Sequence, residues 1–305
     1  VPYTATVYGL KQVYPGGYEP RMLLRLIVGE GVTFSHCIPT ILQMVLAEAR
    51  ANNQDLSHWR VVTGGARLTK GLALEARKLG IKVTGGYGLS ESCPLLTTSN
   101  LKPFMEEEWD EDRQLDWMVK TGFVMPLVKI RVVGPDGTDV ARDGLENGEI
   151  VVRAPWLTPS YYKDPERTEE LWDGGWMHTG DVATVDEYGY IQIVDRIKDV
   201  IKSGGEWIVS LELENLLSLH DDVQEAAVIG IPDEKWGERP LALVVPVEGT
   251  GERMTAEAMR EHLGRYVTDG TIARWAVPDH YVFTDELPRT SVGKIDKKAL
   301  RERLG

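Results

Sequence analysis

Between Val32 and Tyr87 the chain alternates short apolar runs with helical ones, and after Gly122 it changes to a period of two. That change of period limits the fold more than any other feature. In the first stretch "VTFSHCI", "WRVVTGG" and "IKVTGG" read as strands of a few residues each. "MLLRLIVGE" precedes them as a helix; "PTILQMVLAEAR" opens on Pro39, and "LTKGLALEARKLG" stops at Gly80. Short apolar strands separated by helices imply a parallel sheet covered on both faces. After Gly122, "VKIRVV", "GEIVVR" and "DVATVDEYGYIQIVD" alternate in twos and break at "GPDG", "ENG" and "EYG" turns. This is antiparallel β, a small barrel or a curled sheet. Asn100 to Lys120, acidic and weakly patterned, reads as a surface excursion. Beyond Lys198 the order is mixed: a helix near 209–219, strands "EAAVIGI" and "LALVVPV", a helix near 255–265, strand "HYVFT", and a last helix from about Ile295. The expected fold class is α/β plus a β-barrel-like part plus α+β, with domains at 1–121, 122–195 and 196–305.

The totals narrow the partners. A net charge of −13 over 305 residues argues against nucleic acid, whose phosphates need a basic face. An anionic ligand must be met by a local group of Lys and Arg. Cys37 and Cys93 are too few for a disulfide framework and suit a reducing compartment. Cys93 reads as an inert small hydrophobe. No apolar run reaches membrane-spanning length, and the first residues lack a basic-then-apolar signal, so a cytoplasmic location is expected.

Five clusters carry candidate chemistry, and each has a plainer reading. "GGYGLSE" follows a strand, where ligands of parallel sheets sit. Gly85 and Gly86 admit a flat ring or a phosphate to the backbone, Tyr87 offers a stacking face, Ser90 a hydroxyl, and Glu91 a hard oxygen for Mg²⁺. Alone, a glycine turn capped by Ser explains it better. "TGGARL", with Gly65, could give an adenine edge main-chain hydrogen bonds, or be a strand-to-helix turn. Lys70 follows, but the G-x-x-x-x-G-K-[ST] spacing of a phosphate loop is absent. In "WMHTGDVA", Asp181 has two acceptor oxygens suited to a ribose diol, or is an Asp in a tight turn. In "DRIKDVIKSGGEWI", Arg196 is a fork for ribose or phosphate oxygens and Lys202 a mobile point charge; a solvated strand end is the alternative. In "PRTSVGKIDKKALRERL", Lys294 follows a glycine among Arg289, Lys297, Lys298, Arg301 and Arg303. A charged helix end explains the basic cluster, but not the Thr-Ser-x-Gly-Lys loop ahead of it.

In this order and spacing, with "GEIVVRAPWLTPSYY" and "GIPDEKWGERPLALVVP", the clusters resemble the adenylate-forming (AMP-binding) enzymes. These include acyl-CoA synthetases, peptide-synthetase adenylation domains and firefly-type luciferases. The resemblance runs from Val1 to about Arg303, and "IKSGGEWI" followed by "LEN" is most similar to the medium- and long-chain fatty acyl-CoA synthetases. It implies part of a large domain, a layered parallel sheet with a small distorted β-barrel, followed by a hinged small C-terminal domain. It implies that a fatty acid attacks the α-phosphate of Mg·ATP, giving acyl-adenylate, and that coenzyme A then expels AMP. By resemblance Gly65, Gly85, Gly86 and Tyr87 meet adenine, Ser90 the phosphate, Glu91 the magnesium, and Asp181 and Arg196 the ribose. Lys294 would bridge carboxylate and α-phosphate, while Lys198, Lys202 and Trp207 touch the adenylate or line the second-step surface.

Step one gathers negative charge on α-phosphate oxygens, and step two needs that space for the pantetheine arm. The resemblance therefore implies a hinge near Lys198 that exchanges the Lys294 loop for the Ser203-Gly204-Gly205 loop. Charge at the pivot is expected to keep it solvated. Ser90 stands where the family usually has Thr, Gly85 where it often has Gln, and Ser160 where a Gly usually precedes the Tyr pair. Nothing resembles the family's Ser/Thr/Gly-rich loop ending in Pro-Lys around the β- and γ-phosphates. The expectation is a chain inactive alone, with exposed apolar surface that invites a homodimer or a separate N-terminal fragment. Two other readings stand beside the fatty acyl-CoA ligase. One is the aryl- or amino-acid adenylation branch; the other is a non-catalytic nucleotide-binding or interaction module.

Overall fold

The computed structural model describes residues 2–250, 254–289 and 295–304. It comprises two compact units. The first holds residues 1–146, 150–179 and 184–193; the second holds 147–149, 180–183 and 194–305.

The first unit begins with helices α1 (Pro2–Val7) and α2 (Pro20–Gly29). The α2 start is set by Pro20 in its first turn and by Glu19, whose carboxylate accepts the Arg21 and Met22 amides. Strand β1 (Phe34–Cys37), helix α3 (Pro39–Ala51), strand β2 (Arg60–Thr63), helix α4 (Lys70–Lys78) and strand β3 (Lys82–Tyr87) follow in strict alternation. β1, β2 and β3 are parallel, with Cys37 opposite Thr63 and Thr63 opposite Gly85. Their core joins Leu42, Leu46 and Ala49 of α3 to Val61, Val83, Ala73 and Ala76. Each fully buried leucine there contributes roughly 1.5–3 kcal/mol. This packing brings the glycine-rich ends of β2 and β3 side by side.

The stretch Asn100 to Lys120, expected as a surface excursion, lies largely at the surface and is built as two short helices. Strand β4 (Thr97–Thr98) leads to α5 (Pro103–Glu108) and α6 (Glu111–Met118), and strand β5 (Phe123–Val124) returns to complete the order β1-β2-β3-β4-β5. Met105 and Leu115 are buried, and Asp110 caps α6 by accepting the Arg113 amide at 2.8 Å. Trp109, Trp117 and Tyr188 pack edge to face, and Lys120 Nζ meets Asp186 Oδ2 at 2.5 Å. Helices of six and eight residues are too short for a helical period to show in sequence, and aromatic packing holds them.

Strands β6 (Lys129–Val133), β7 (Gly148–Arg153), β8 (Met177–Val185) and β9 (Ile191–Arg196) form a sheet in that order, with helix α7 (Pro165–Leu171) between β7 and β8. Of the two expected shapes, barrel and curled sheet, the strand order is that of an open sheet. β6 and β9 are not paired among the described residues, and closure requires that pairing.

In the second unit strands β10 (Ile201–Ser203) and β11 (Glu206–Ile208) make a hairpin. Its two-residue loop has Gly204 at φ +61° and Gly205 at φ +89°, the paired positive angles such a tight turn demands. Helix α8 (Ser210–Leu217), strands β12 (Val223–Asp233) and β13 (Gly237–Pro246), helix α9 (Ala256–Thr268), strand β14 (His280–Phe283) and helix α10 (Lys297–Leu304) follow. The sheet order is β11-β10-β13-β12, with β14 parallel to β13. Alternation buries both faces. Val228, Ala242 and Val244 pack with Leu213, Met259 and Leu263; Ala227, Ile229 and Leu243 pack with Leu300.

Among the described residues no helix is long and apolar enough to cross a membrane. Tyr3, Val7, Tyr8, Leu10, Tyr14 and Tyr18 are exposed.

Candidate functional site

In the first unit, the ends of β2 and β3 carry Gly65 and the Gly85-Gly86-Tyr87 run. A Cβ on Gly64 would lie 3.0 Å from the Gly86 carbonyl oxygen, so the two strand ends approach at backbone distance. The Gly85 amide donates to Ser99 Oγ at 2.7 Å, and a Cβ on Gly85 would stand 3.0 Å from that same oxygen. A longer side chain at 85 would therefore have to move Ser99. Tyr87 is half-buried, and Gly65 and Ser90 are exposed.

Ser90 and Glu91 open a single 3₁₀ turn, Ser90–Ser92, which the buried Ser92 hydroxyl fastens to Leu89 and Pro94. The Glu91 carbonyl accepts the Thr158 amide at 2.8 Å, and its Oε1 accepts the Tyr161 hydroxyl at 2.7 Å. That bond to a carboxylate holds the Tyr161 phenol above its ordinary pKa. Cys93 ends the turn at φ +49° and is exposed, so it is not the packed small hydrophobe expected from sequence. The half-buried thiol is that of Cys37, pushed up to about 11 by burial.

In the second unit Asp181 is 2% exposed on β8, and its Oδ1 takes Arg196 Nε at 2.6 Å. The Arg196 side chain is 61% exposed, so the pair places an accessible fork over a buried carboxylate. Gly180 donates to Glu149 Oε1 at 3.0 Å and accepts the Ile197 amide at 2.9 Å, which fixes the end of β9 beside Asp181.

The charge around Lys198 is not uniformly solvated, contrary to expectation. Asp195 is buried and accepts four hydrogen bonds: the Arg196 amide, the Ser210 amide and hydroxyl, and the Leu211 amide. The reason is local. α8 begins after Val209, whose side chain cannot cap it, so its first amides need a remote acceptor. Asp199 is half-buried and meets Arg301 at 2.5 Å; Arg196 and Lys198 are exposed. Lys297 joins this group, donating to Ser210 Oγ and to Glu214 Oε1, each at 2.7 Å.

The hairpin carries the remaining candidates. Lys202 is exposed opposite the half-buried Trp207, and the Lys202 amide donates to Glu238. Ser203 is buried at the base with its hydroxyl accepting from Arg239, while Gly204 and Gly205 are exposed at the tip. Lys294 lies outside the described residues; Arg289 and Ile295 form an antiparallel bridge.

Thus Gly65, Gly85, Gly86, Tyr87, Ser90 and Glu91 share one pair of strand ends and the turn that follows. Asp181 pairs with Arg196, while Lys202, Ser203, Gly204, Gly205 and Trp207 share the hairpin. Sequence reasoning gave no role to Tyr161, Asp195 or Glu214, and placed Lys297 only in a basic cluster. The uncapped Val209 was the one local signal for Asp195.

The sequence model described as AMP-binding enzyme matches residues 1–162, and that described as AMP-binding enzyme C-terminal domain matches 212–294. The chain is 43% identical to a long-chain-fatty-acid–CoA ligase of Thermus thermophilus, covering 99% of this chain and 55% of the relative. It is 39% identical to a 3-methylmercaptopropionyl-CoA ligase of Ruegeria lacuscaerulensis, with the same two shares. Among solved structures, the O-succinylbenzoate coenzyme A synthetase of Bacillus subtilis, in complex with ATP and magnesium ion, superposes with a TM-score of 0.72 at 27% identity. That match covers 99% of this chain and 57% of that one. The chain spans about half the length of the curated relatives it matches. With more than half of its residues under one family model and the C-terminal model following in order, the chain belongs to the AMP-binding enzyme family.

Proposed function

We propose that the chain is the adenylate-handling part of an AMP-forming fatty acyl-CoA ligase, with Mg·ATP, a fatty acid and coenzyme A as substrates. The observation that carries the reading is the Asp181–Arg196 pair, a buried carboxylate beneath an exposed guanidinium, in a chain of this family. One Asp oxygen already orients Arg196, and together the two groups offer acceptors and donors for a ribose diol. Gly65, Gly85 and Gly86 let adenine reach the backbone, Tyr87 stacks on it, and Ser90 donates to a phosphate oxygen.

Magnesium fits the residues present in one way. Among the described residues no three His, Cys, Asp or Glu side chains gather into a metal site. Glu91 offers a carboxylate with one oxygen bound by Tyr161. Mg²⁺ commonly takes one or two carboxylates plus phosphate oxygens, so Glu91 would be its protein ligand. When bound, the ion offsets phosphate charge.

Lys294 places its ammonium between the fatty carboxylate and the α-phosphate, holding the two reactants together while charge moves onto phosphate oxygens. A swivel about Lys198 then brings the Ser203-Gly204-Gly205 hairpin to the adenylate, with Lys202 and Trp207 on its flanks, and opens the path for the thiol. We take 1–121, 122–195 and 196–305 as the functional domains. The two free cysteines support a cytoplasmic location. The test is acyl-CoA and AMP formation from ATP, coenzyme A and fatty acids of short to long chain, assayed on the protein as the cell makes it. Stoichiometric AMP and thioester support the reading; release of ADP, or no thioester with any acid, contradicts it.

A further inference from the structure

Glu91 sits on a turn of three residues, and a glutamate there has freely rotating side-chain torsions unless something holds it. The structure supplies a holder from a segment 70 positions away. The Thr158 amide fixes the Glu91 carbonyl at 2.8 Å, and the Tyr161 hydroxyl fixes Oε1 at 2.7 Å. The segment is itself braced. The Tyr161 amide donates to Thr168 Oγ1 at 3.0 Å, and the Thr168 hydroxyl donates to the Asp164 carbonyl at 2.7 Å. Trp172 Nε1 donates to the Thr158 carbonyl at 3.1 Å, and the Arg167 guanidinium lies 4.8 Å from the Tyr161 ring centre. Every link is short, and every link after Glu91 belongs to residues 158–172.

We infer that Tyr161 is a positioning residue for the divalent cation: its hydroxyl occupies Oε1 of Glu91 and so presents Oε2 as the oxygen that binds the metal. A phenol suits this task because it donates one hydrogen bond without bringing a charge that would compete with the cation. Partners that orient a metal's ligand typically govern ten- to a hundred-fold in metal affinity. The inference rests on the reading in which Glu91 holds the cation of Mg·ATP.

The experiment is ATP binding by titration calorimetry, with magnesium chloride and with a chelator, for the unmodified protein, Glu91→Gln and Tyr161→Phe. Magnesium is expected to strengthen ATP binding to the unmodified protein, and Glu91→Gln to remove most of that gain. Tyr161→Phe should cut the gain about ten-fold or more while leaving metal-free ATP binding unchanged. A full magnesium gain in Tyr161→Phe, with the gain lost in Glu91→Gln, overturns the inference and leaves the Glu91 assignment standing. Equal gains in the unmodified protein and Glu91→Gln, or no gain in the unmodified protein, overturn both. A second variant separates a folding defect from a lost hydrogen bond. Tyr161→Gln loses the ring but keeps a neutral donor, and should retain part of the magnesium gain that Tyr161→Phe loses. Equal losses in the two variants overturn the inference.

Discussion

Lys297→Met is expected to destabilise the second unit by about 3–5 kcal/mol, the range found when one partner of a buried ion pair is removed. Lys297 and Glu214 are 12% and 10% exposed in their side chains and lie 2.7 Å apart. Glu214 also accepts the Val228 amide at 2.7 Å, and Lys297 also donates to Ser210 Oγ. Without the ammonium, Glu214 is a buried carboxylate with one remaining donor among the described residues. Burial already raises its pKa, and Lys297 is the leading opposing influence. A carboxyl group whose folded pKa lies above its unfolded value binds more protons when folded. Its contribution is fully present below the unfolded pKa and is lost as pH rises through the folded one. The Lys297→Met defect should therefore be largest at neutral pH and shrink on acidification. Adding Glu214→Gln should recover much of it, since no charge is then buried. Urea denaturation of the single and double variants across pH is the check. A loss of less than about 1 kcal/mol, independent of pH, would mean the pair contributes no more than an exposed one.

In the complete enzyme, Lys294→Ala is expected to lower adenylate formation by at least a hundred-fold, the scale seen when a group stabilising transition-state charge is removed. Thioester formation from supplied acyl-adenylate should change only a few-fold, because the proposed swivel takes the lysine off the nucleotide before that step. Lys198→Pro should show the reverse pattern. Its ring removes backbone freedom at the proposed pivot and restricts Ile197, whose amide is bound to Gly180. Single-turnover measurement of each half-reaction separates the two effects. Equal damage to both steps by both variants would contradict the shared-space argument.

What could be read in the sequence follows from the range of the interactions. The alternation of β1 to β3 with α3 and α4 was legible because each element declares itself within a dozen residues: Pro39 opens a helix, Gly80 closes one, and the strands are short apolar runs. The family followed from local motifs too. The Asn100–Lys120 helices were not legible, because each is too short to show a period and their aromatic partner Tyr188 is distant. Charge near Lys198 looked like a solvated strand end, yet Asp195 reaches Ser210 across 15 positions and Arg301 reaches Asp199 across 102. The Tyr161 bond to Glu91 was hidden in the same way. Motifs report what a ligand needs; the residues that hold those motifs in place are known only once distant segments meet.

The account stands on one claim, that Asp181 and Arg196 grip the ribose of an adenylate. The most direct measurement is titration of the 305-residue chain with a non-hydrolysable acyl-sulfamoyl-adenosine, compared with Asp181→Ala. The account predicts saturable binding by the unmodified chain, weakened roughly ten- to a hundred-fold by the substitution, as loss of charge-assisted hydrogen bonds implies. No binding, or binding that the Asp181→Ala variant leaves unchanged, would contradict it.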